Sequence, residues 1–180
     1  MKKVVLSLVV VLLVCTLAAS AQPVGKKWET GFGLSFSSYK FEGSSDSTSI
    51  LTIPFRVGYY VWKGLEIEPE VMLTKISHTD FGFNLAANLL YNFMTKSNFR
   101  PFILVGFGYG NGFSPFPNLT IGDSDTNATL INAGAGVKYL LGDRAAIRVE
   151  YRYAHSHMKW DDSSENVNTH KVLTGISIFF

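Results

Sequence analysis

This chain has a single cysteine, nearly equal numbers of basic and acidic residues, and few long apolar segments. Its one cysteine, Cys15, has no partner in the sequence, so an internal disulfide is excluded, and with it the small secreted scaffolds that depend on such bridges. Basic and acidic residues number 16 and 14, a balance that gives no reason to expect nucleic acid as a partner. After the first segment, no apolar run approaches the ~20 residues that a membrane-spanning helix needs, which excludes a helical membrane bundle.

The one uninterrupted apolar run lies at the amino terminus. Two lysines precede an apolar run over residues 4–17, and Ala19-Ser20-Ala21 offers small side chains at a cleavage position. A basic start, a short apolar run and small residues in this order are typical of a secretory signal peptide. We therefore predict a cleaved signal peptide at residues 1–21 and one mature domain at residues 22–180.

The rest of the chain is rich in aromatic residues and glycine, and its apolar residues recur at every second position. Between Ala145 and Tyr153, one face of the segment is apolar or aromatic, whereas the other face carries Arg148, Glu150 and Arg152. Alternation with a period of two indicates a β-strand with one apolar and one polar face. The pattern recurs about eight times and predicts an all-β fold, an eight-stranded antiparallel up-and-down barrel.

The connections between the predicted strands alternate in length. The predicted tight turns include 62–64, 94–98 and 142–144, and the predicted longer loops include 42–49, 111–127 and 157–168. Short periplasmic turns and longer outer loops are typical of barrels in the bacterial outer membrane. Pro54 and Pro69 lie inside two predicted strands. Because proline cannot donate a ladder hydrogen bond, we expect a bulge or a local gap at each.

The alternation fits two opposite barrels. A lipocalin-like barrel turns its apolar face inward around a ligand, whereas a membrane barrel turns that face towards lipid. The apolar faces carry only Lys40 and Lys75, both near a strand end, and a basic side chain facing lipid at mid-depth costs ~2–4 kcal/mol. We therefore predict a transmembrane barrel. Its lumen is expected to hold the charged side chains Glu29, Arg56, Glu66, Glu68, Glu70, Arg100, Lys138, Arg148, Glu150, Arg152 and Lys171.

Residues 100–109 (RPFILVGFGY) and 147–153 (IRVEYRY) mix glycine, aromatic and charged residues at alternating positions, and residues 174–180 (TGISIFF) finish on Phe180. In these segments the chain resembles the OmpA/OmpX-like family of small outer-membrane β-barrel proteins, and the resemblance extends over residues 22–180. It implies an integral protein of the bacterial outer membrane that contacts membrane lipid and lipopolysaccharide.

The same resemblance implies that the carboxyl-terminal strand is an insertion signal. In the family, the barrel-assembly machinery reads this signal, and the matching positions here are Gly175, Ile178 and Phe180. The family pattern more often has an aromatic residue at the position of Ile178. We therefore expect recognition of this chain to be weakened rather than lost.

Two functions are open for the charged lumen. Strands three and seven should place Glu66, Glu68 and Glu70 at depths similar to those of residues 148–152. Buried charges must pair or bear a desolvation cost of several kcal/mol each, so the opposite charges should form a network that plugs the lumen. A plugged barrel has a structural or surface-interaction role. The alternative is a small-conductance, porin-like channel.

A second alternative is a lipid A-modifying enzyme, because some barrels of this architecture have that activity. The candidate catalytic motif is His155-Ser156-His157. Neighbouring residues of a strand point to opposite faces, so His155 is poorly placed to act as the base for Ser156. His155 and His157 share a face, but two imidazoles without a cysteine or a fixed acid make a weak metal site. We predict no catalytic residues, no metal and no cofactor.

The predicted outer loops carry exposed aromatic residues. Phe113 and Phe116 lie in the loop at 111–127, and Trp160 lies in the loop at 157–168. Aromatic side chains on loops are frequent contact residues at interfaces. These residues are candidate contacts for a surface protein or a host ligand, or for the lipopolysaccharide layer.

Overall fold

The computed structural model of the chain describes residues 27–40, 47–76, 81–111, 127–160 and 163–180. In these ranges, eight strands form a closed barrel in which each strand is hydrogen-bonded to its sequence neighbours and the last to the first. The strands are β1 Trp28–Lys40, β2 Ser47–Trp62, β3 Leu65–Ile76, β4 Phe81–Asn92, β5 Phe99–Asn111, β6 Asn127–Leu140, β7 Ala145–Trp160 and β8 Ser163–Phe179. The predicted fold class is confirmed. No helix in the described ranges is long and apolar enough to cross a membrane.

The two faces of the wall differ as the alternation predicts. Leu85, Val105 and Ile131 face outward and are 51%, 57% and 63% exposed, whereas the charged residues at alternate positions are buried in the lumen. A lipocalin-like barrel needs the opposite arrangement, so that alternative is wrong. The exposed apolar face is the surface that hydrocarbon covers in a membrane barrel.

Both prolines interrupt the hydrogen-bonded ladder on one side. Between β1 and β2, the register pairs pass from Phe32–Phe55 directly to Ser35–Thr52, which leaves a gap at Pro54. Between β2 and β3, the pairs stop at Glu70 and resume at Ile67, which leaves a gap at Pro69. The predicted local gaps are therefore present. The register itself shifts at neither proline but between Tyr60 and Trp62.

The tight turns at the periplasmic end depend on two glycines. Gly64 and Gly142 have φ angles of 78° and 87°, in the left-handed region that favours glycine. Gly64 lies between β2 and β3, and Gly142 lies between β6 and β7. These turns set the register of each hairpin and hence the depth of every lumen side chain.

The last outer connection is shorter than predicted. β7 and β8 pair without interruption from Ala145–Ile178 to Trp160–Ser163, so the loop predicted at 157–168 is wrong. His157 and its neighbours are polar, which suggested a loop, but cross-strand contacts between histidine and asparagine also suit a strand. Trp160 consequently lies at the end of β7 rather than in a loop.

Several sequence predictions fall outside the described residues. These are the signal peptide at residues 1–21, the candidate contacts Phe113 and Phe116, and most of the predicted loops at 42–49 and 111–127.

β1 and β8 close the barrel with the shortest ladder of the eight. They share six register pairs, from Glu29–Phe179 to Leu34–Thr174, whereas every other pair of neighbouring strands shares at least ten. At the periplasmic end, Trp28 and Phe180 exchange two backbone hydrogen bonds of 3.0 Å. Above Leu34 and Thr174, each strand pairs only with its other neighbour.

Candidate functional site: the charged lumen

The ten charged residues at the centre of the sequence prediction all lie inside the barrel. None has more than 4% of its surface exposed. They are Glu29, Arg56, Glu66, Glu68, Glu70, Arg100, Lys138, Arg148, Glu150 and Arg152. Strand alternation places them inside, because each of them occupies the lumen-facing position of its strand.

Six of these residues form what we call the central network: Arg56, Glu68, Glu70, Arg148, Glu150 and Arg152. Arg148 donates two hydrogen bonds to the Glu68 carboxylate, at 2.5 and 3.2 Å. It also donates to Glu150, with Nη2 to Oε2 at 2.7 Å. Strands β3 and β7 lie on opposite sides of the barrel, so the Arg148–Glu68 pair crosses the lumen.

Arg152 repeats this arrangement one step towards the cell surface. Its Nη1 and Nη2 lie 2.5 and 3.2 Å from the two oxygens of Glu70, and its Nε donates to Glu150 at 2.6 Å. Arg56 joins the network through a 2.6 Å hydrogen bond from Nε to Glu70. Glu150 therefore accepts hydrogen bonds from two arginines and is ion-paired with a third, Arg56, at 3.7 Å. The six side chains form one continuous set of ion pairs across the lumen.

A second group, the basal cluster, lies nearer the periplasmic end and comprises Glu29, Tyr60, Glu66, Asn92 and Lys138. The Lys138 ammonium donates to Glu29 at 2.6 Å and to Glu66 at 2.9 Å. Tyr60 donates its hydroxyl hydrogen to Glu29 at 2.7 Å, and Asn92 donates to Glu66 at 2.8 Å. Glu66 thus pairs with Lys138 on β6 rather than with a residue of β7. Strand depth alone did not predict this pairing.

The described residues contain one group of carboxylates close enough to hold a cation. Glu29, Glu66 and Glu68 each bring an oxygen to within 4.8 Å of the others. The Lys138 ammonium already bonds two of these three carboxylates. A lysine side chain therefore supplies the positive charge that a metal ion would bring.

Apolar side chains also point into the lumen, which the alternation of charged residues did not predict. Leu90, Phe102 and Leu104 form a buried cluster with at most 2% exposure. The Arg148 guanidinium lies 4.6 Å from the Phe102 ring centroid, and Lys138 Nζ lies 5.6 Å from it. The signal in the sequence is position: Phe102 and Leu104 follow Arg100 at steps of two and so share its face.

Lumen glycines make room for these groups. A Cβ at Gly136 would lie 2.5 Å from Cζ of Phe102, and a Cβ at Gly58 would overlap the Glu66 carboxylate. Close packing forbids such contacts. Because these glycines have no side chain, large side chains from neighbouring strands occupy the space next to them.

Above the central network, towards the cell surface, the lumen changes character. Asn84, Asn132 and Ser156 are buried there, together with the partly buried Lys171. With Arg152 and Thr169, they surround a cavity of about 30 Å³. We call this region the outer vestibule. Lys171 was predicted in the lumen with the other charges, and it lines this cavity together with Arg152, its register partner on β7.

The structure separates the residues of the His155-Ser156-His157 motif. Ser156 faces the lumen and is 5% exposed, whereas His155 faces outward. The Nδ1 atoms of His155 and His157 lie 2.8 Å from the Oδ1 atoms of Asn168 and Asn166 on β8. No imidazole of the motif therefore reaches the Ser156 hydroxyl as a base would have to do.

The three residues of the predicted insertion signal lie on β8 and just beyond it. Ile178 and Phe180 face outward with 50% and 60% exposure, and Gly175 lies on the lumen side. A Cβ at Gly175 would meet the carbonyl oxygen of Phe32 on β1. Gly175 therefore permits the close approach of β1 and β8 near the top of their short ladder.

Comparison with known proteins gives a family and several similar folds. Residues 7–180 match the model of the family described as outer membrane protein beta-barrel domain. No curated protein sequence matches the chain.

Solved structures with a similar fold include three bacterial outer-membrane barrels. Neisserial surface protein A is 16% identical at a TM-score of 0.61, with 86% of this chain and 96% of that chain covered. The N-terminal β-barrel domain of Pseudomonas aeruginosa OprF is 14% identical at 0.52, covering 86% and 98%. The outer membrane enzyme PagL is 15% identical at 0.51, covering 82% and 97%. At these identities the likeness concerns the fold, which an enzyme and a surface protein share.

Proposed function

This chain belongs to the outer membrane protein β-barrel family, whose members lie in the bacterial outer membrane, and we propose that it is a barrel with a permanently plugged lumen. Its role is structural, or is to present its outer end to partners, rather than to conduct or to catalyse. The central network carries this proposal, because its six side chains bridge β2, β3 and β7 across the lumen. An ion that passed through would have to separate buried pairs, which is strongly unfavourable.

Planar-bilayer recording of the purified barrel tests the plug. We expect no steady single-channel conductance from the unmodified protein. A steady conductance whose ion selectivity changes in Glu68→Gln would defeat the proposal and favour the porin-like alternative. The matched control is Leu85→Val on the outer face, which leaves the central network intact and should leave the recording as it is in the unmodified protein.

The lipid A-modifying alternative has less support from the geometry. Ser156 faces a buried cavity, and His155 faces away from it. Mass spectrometry of lipid A from cells with and without the protein should therefore give the same masses. A mass difference that disappears in Ser156→Ala would reverse this conclusion.

The partners we propose follow from the family and from the ends of the barrel. The barrel-assembly machinery should recognise the β8 signal, and Phe180→Ala should lower the amount of barrel in the outer membrane severalfold. Lipopolysaccharide, a surface protein or a host ligand should contact the outer end. A pull-down with the intact barrel, compared with one lacking residues 113–117, tests that role; equal capture by the two would exclude this loop as the contact.

A further inference from the structure

A groove of about 730 Å³ crosses the outer face of the barrel wall, from β8 over β1, β2 and β3 to β4. We call it the wall groove, and its volume lies within the ~300–1,000 Å³ of pockets that hold small ligands. Its lower row of outward residues includes the short side chains of Thr30 and Pro69. The row above contains Phe32, Phe55 and Leu85, which lie in register across the strands. The short lower row therefore leaves a trough beneath the larger one.

The wall groove is inclined to the membrane plane. Strands tilted by ~40° rise ~2.5 Å per residue along the barrel axis. Thr30 lies two residues above Trp28 at the lower end of β1, and Leu85 lies seven residues above Asn92 at the lower end of β4. The groove therefore climbs from ~5 Å to ~17 Å above the periplasmic end of an apolar band that is ~25 Å tall. This course leads from the head-group level of the periplasmic leaflet to the middle of the hydrocarbon.

Aromatic side chains mark the head-group level at the lower end of the groove. Trp28 and Tyr59 are register partners below the groove with ring centroids 4.7 Å apart, and Trp62 is 70% exposed. Tryptophan and tyrosine favour the boundary between hydrocarbon and water, because each combines an apolar ring with a polar group. The groove therefore begins where a bound lipid would change from acyl chain to head group.

Basic side chains lie beyond this aromatic pair. Lys27 precedes β1 and accepts a backbone hydrogen bond from Tyr60 at 2.9 Å, and Lys63 lies in the turn between β2 and β3. Both lysines are exposed. In the described part of this rim, the exposed acidic side chain is Asp143, in the turn between β6 and β7. The rim below the groove is therefore basic, and each basic residue near a membrane surface strengthens attraction to anionic lipid about fivefold.

The same charge makes a second copy of the barrel a poorer occupant of the groove. A twofold contact between identical barrels is isologous, so the same surface lies on both sides of it. Such a contact would bring two basic rims together, and like charges across an interface are unfavourable. An anionic phospholipid instead brings a phosphate to the lysines and an acyl chain to the groove.

We propose that the wall groove binds a phospholipid with an anionic head group from the periplasmic leaflet. The phosphate lies between Lys27 and Lys63, and one acyl chain follows the groove past Thr30 and Pro69. The site uses the outer face of the wall alone. It therefore goes beyond the proposed function and does not depend on the plugged lumen.

Native mass spectrometry of the barrel in a neutral detergent tests the charge preference. The probes are dipalmitoyl phosphatidylglycerol and dipalmitoyl phosphatidylcholine, which have the same acyl chains and differ in head-group charge. The anionic lipid should bind at least about tenfold more tightly, and Lys27→Gln with Lys63→Gln should remove that preference.

The matched control for charge is Lys75→Gln with Lys96→Gln. It removes the same total charge, but Lys75 lies near the upper end of β3 and Lys96 lies in the turn between β4 and β5. This variant should retain the preference for the anionic lipid. Equal binding of the two lipids by the unmodified barrel, or the same preference in both double variants, would overturn the proposal.

A larger side chain in the groove tests the acyl-chain site. Thr30→Phe places a ring at the lower end of the groove and should weaken binding of both lipids at least about fivefold, because the ring takes the space of the chain. Thr174→Phe is the matched control. Its threonine also faces outward and donates its hydroxyl to a backbone carbonyl of the next strand, at 3.5 Å against 3.2 Å for Thr30, but it does not line the groove.

Two outcomes of the groove test would overturn the proposal. One is unchanged lipid binding in Thr30→Phe, with circular dichroism showing the same β-sheet content in both threonine variants. The other is a lipid-free dimer that Thr30→Phe disrupts, which would assign the groove to a second copy. Neither outcome bears on the plug, because bilayer recording measures conductance through the lumen and not binding to the outer wall.

Discussion

The lower lumen and the outer vestibule are built by the same eight strands and the same alternation, but they are filled in different ways. In the lower lumen, ion pairs, a tyrosine and apolar side chains fill the space, and glycines on neighbouring strands leave room for them. Above, short neutral side chains such as Asn84, Asn132 and Ser156 leave a small cavity. The comparison shows that alternation sets which face is inside, whereas side-chain size and charge decide which part of the inside is closed.

The largest effect is expected from removing the charge of the Glu150 carboxylate, which accepts hydrogen bonds from Arg148 and Arg152. Glu150→Gln keeps the shape but leaves Arg148 and Arg152 with less compensation, so we expect a loss of about 3–5 kcal/mol in the free energy of unfolding. Urea unfolding of the refolded barrel in detergent micelles measures it. Asn132→Ala in the outer vestibule is the control and should cost about 1 kcal/mol. Similar losses in both variants would erase the distinction between the two regions.

Tyr60→Phe probes the basal cluster with a smaller change. The variant removes the hydroxyl that donates to Glu29 and lies 3.2 Å from Lys138 Nζ. Hydrogen bonds to charged groups contribute about 1.5–3 kcal/mol, and we expect a loss of that size in the same unfolding measurement. Tyr59→Phe alters the neighbouring outward residue and should change stability by less than about 0.5 kcal/mol. If Tyr59→Phe cost as much, the effect would belong to the wall and not to the cluster.

Gly136→Ala sharpens the comparison by adding one carbon to the filled part of the lumen. The added Cβ would press on the Phe102 ring and on the Val149 carbonyl oxygen, and overpacking of this kind costs about 1–3 kcal/mol. Gly31→Ala is the matched control, because its Cβ would have neighbours at 3.4–3.9 Å, which is ordinary contact. Thermal unfolding followed by circular dichroism should separate the two variants; coincident curves would contradict the tight packing.

The smallest effect is expected at Thr74, on a lumen-facing position of β3. Its hydroxyl is buried and has no hydrogen-bond partner among the described residues. Thr74→Val replaces the hydroxyl by a methyl group of similar size, so stability should be unchanged or rise by up to about 1 kcal/mol. Urea unfolding checks the sign. A loss above about 1 kcal/mol would mean that the hydroxyl has a partner that the fold alone does not reveal.

The sequence was sufficient for the fold because few arrangements satisfy its alternation. Lipid cannot accept Arg148 or Glu68, so their face had to be inside, and the hairpin turns then fixed which depths coincide. The same logic anticipated the gaps at Pro54 and Pro69, because the missing amide hydrogen is a property of the residue and not of its surroundings.

The remaining features depend on three-dimensional detail. The pairing of Glu66 with Lys138 depends on where the charged end of each side chain lies in the lumen. From the sequence alone, each of the two residues had other possible partners. The extension of β7 and β8 past His157 was missed because polar residues are common in loops and also in strands that rise out of a membrane. Phe102 was missed because an aromatic residue on an inner face does not stand out in a strand that is apolar on both sides.

The short β1–β8 ladder also sets the order in which the molecule can be assembled. Trp28 and Phe180 are the most distant partners along the chain. Bringing the two ends of a long chain segment together has a large entropic cost, so contacts of this kind form slowly. Seven hairpin seams can therefore exist while the eighth is still open, as a curved sheet whose charged face is wetted. Joining the final edges encloses that charged face, so the ion pairs that cross the lumen are completed only when β1 meets β8.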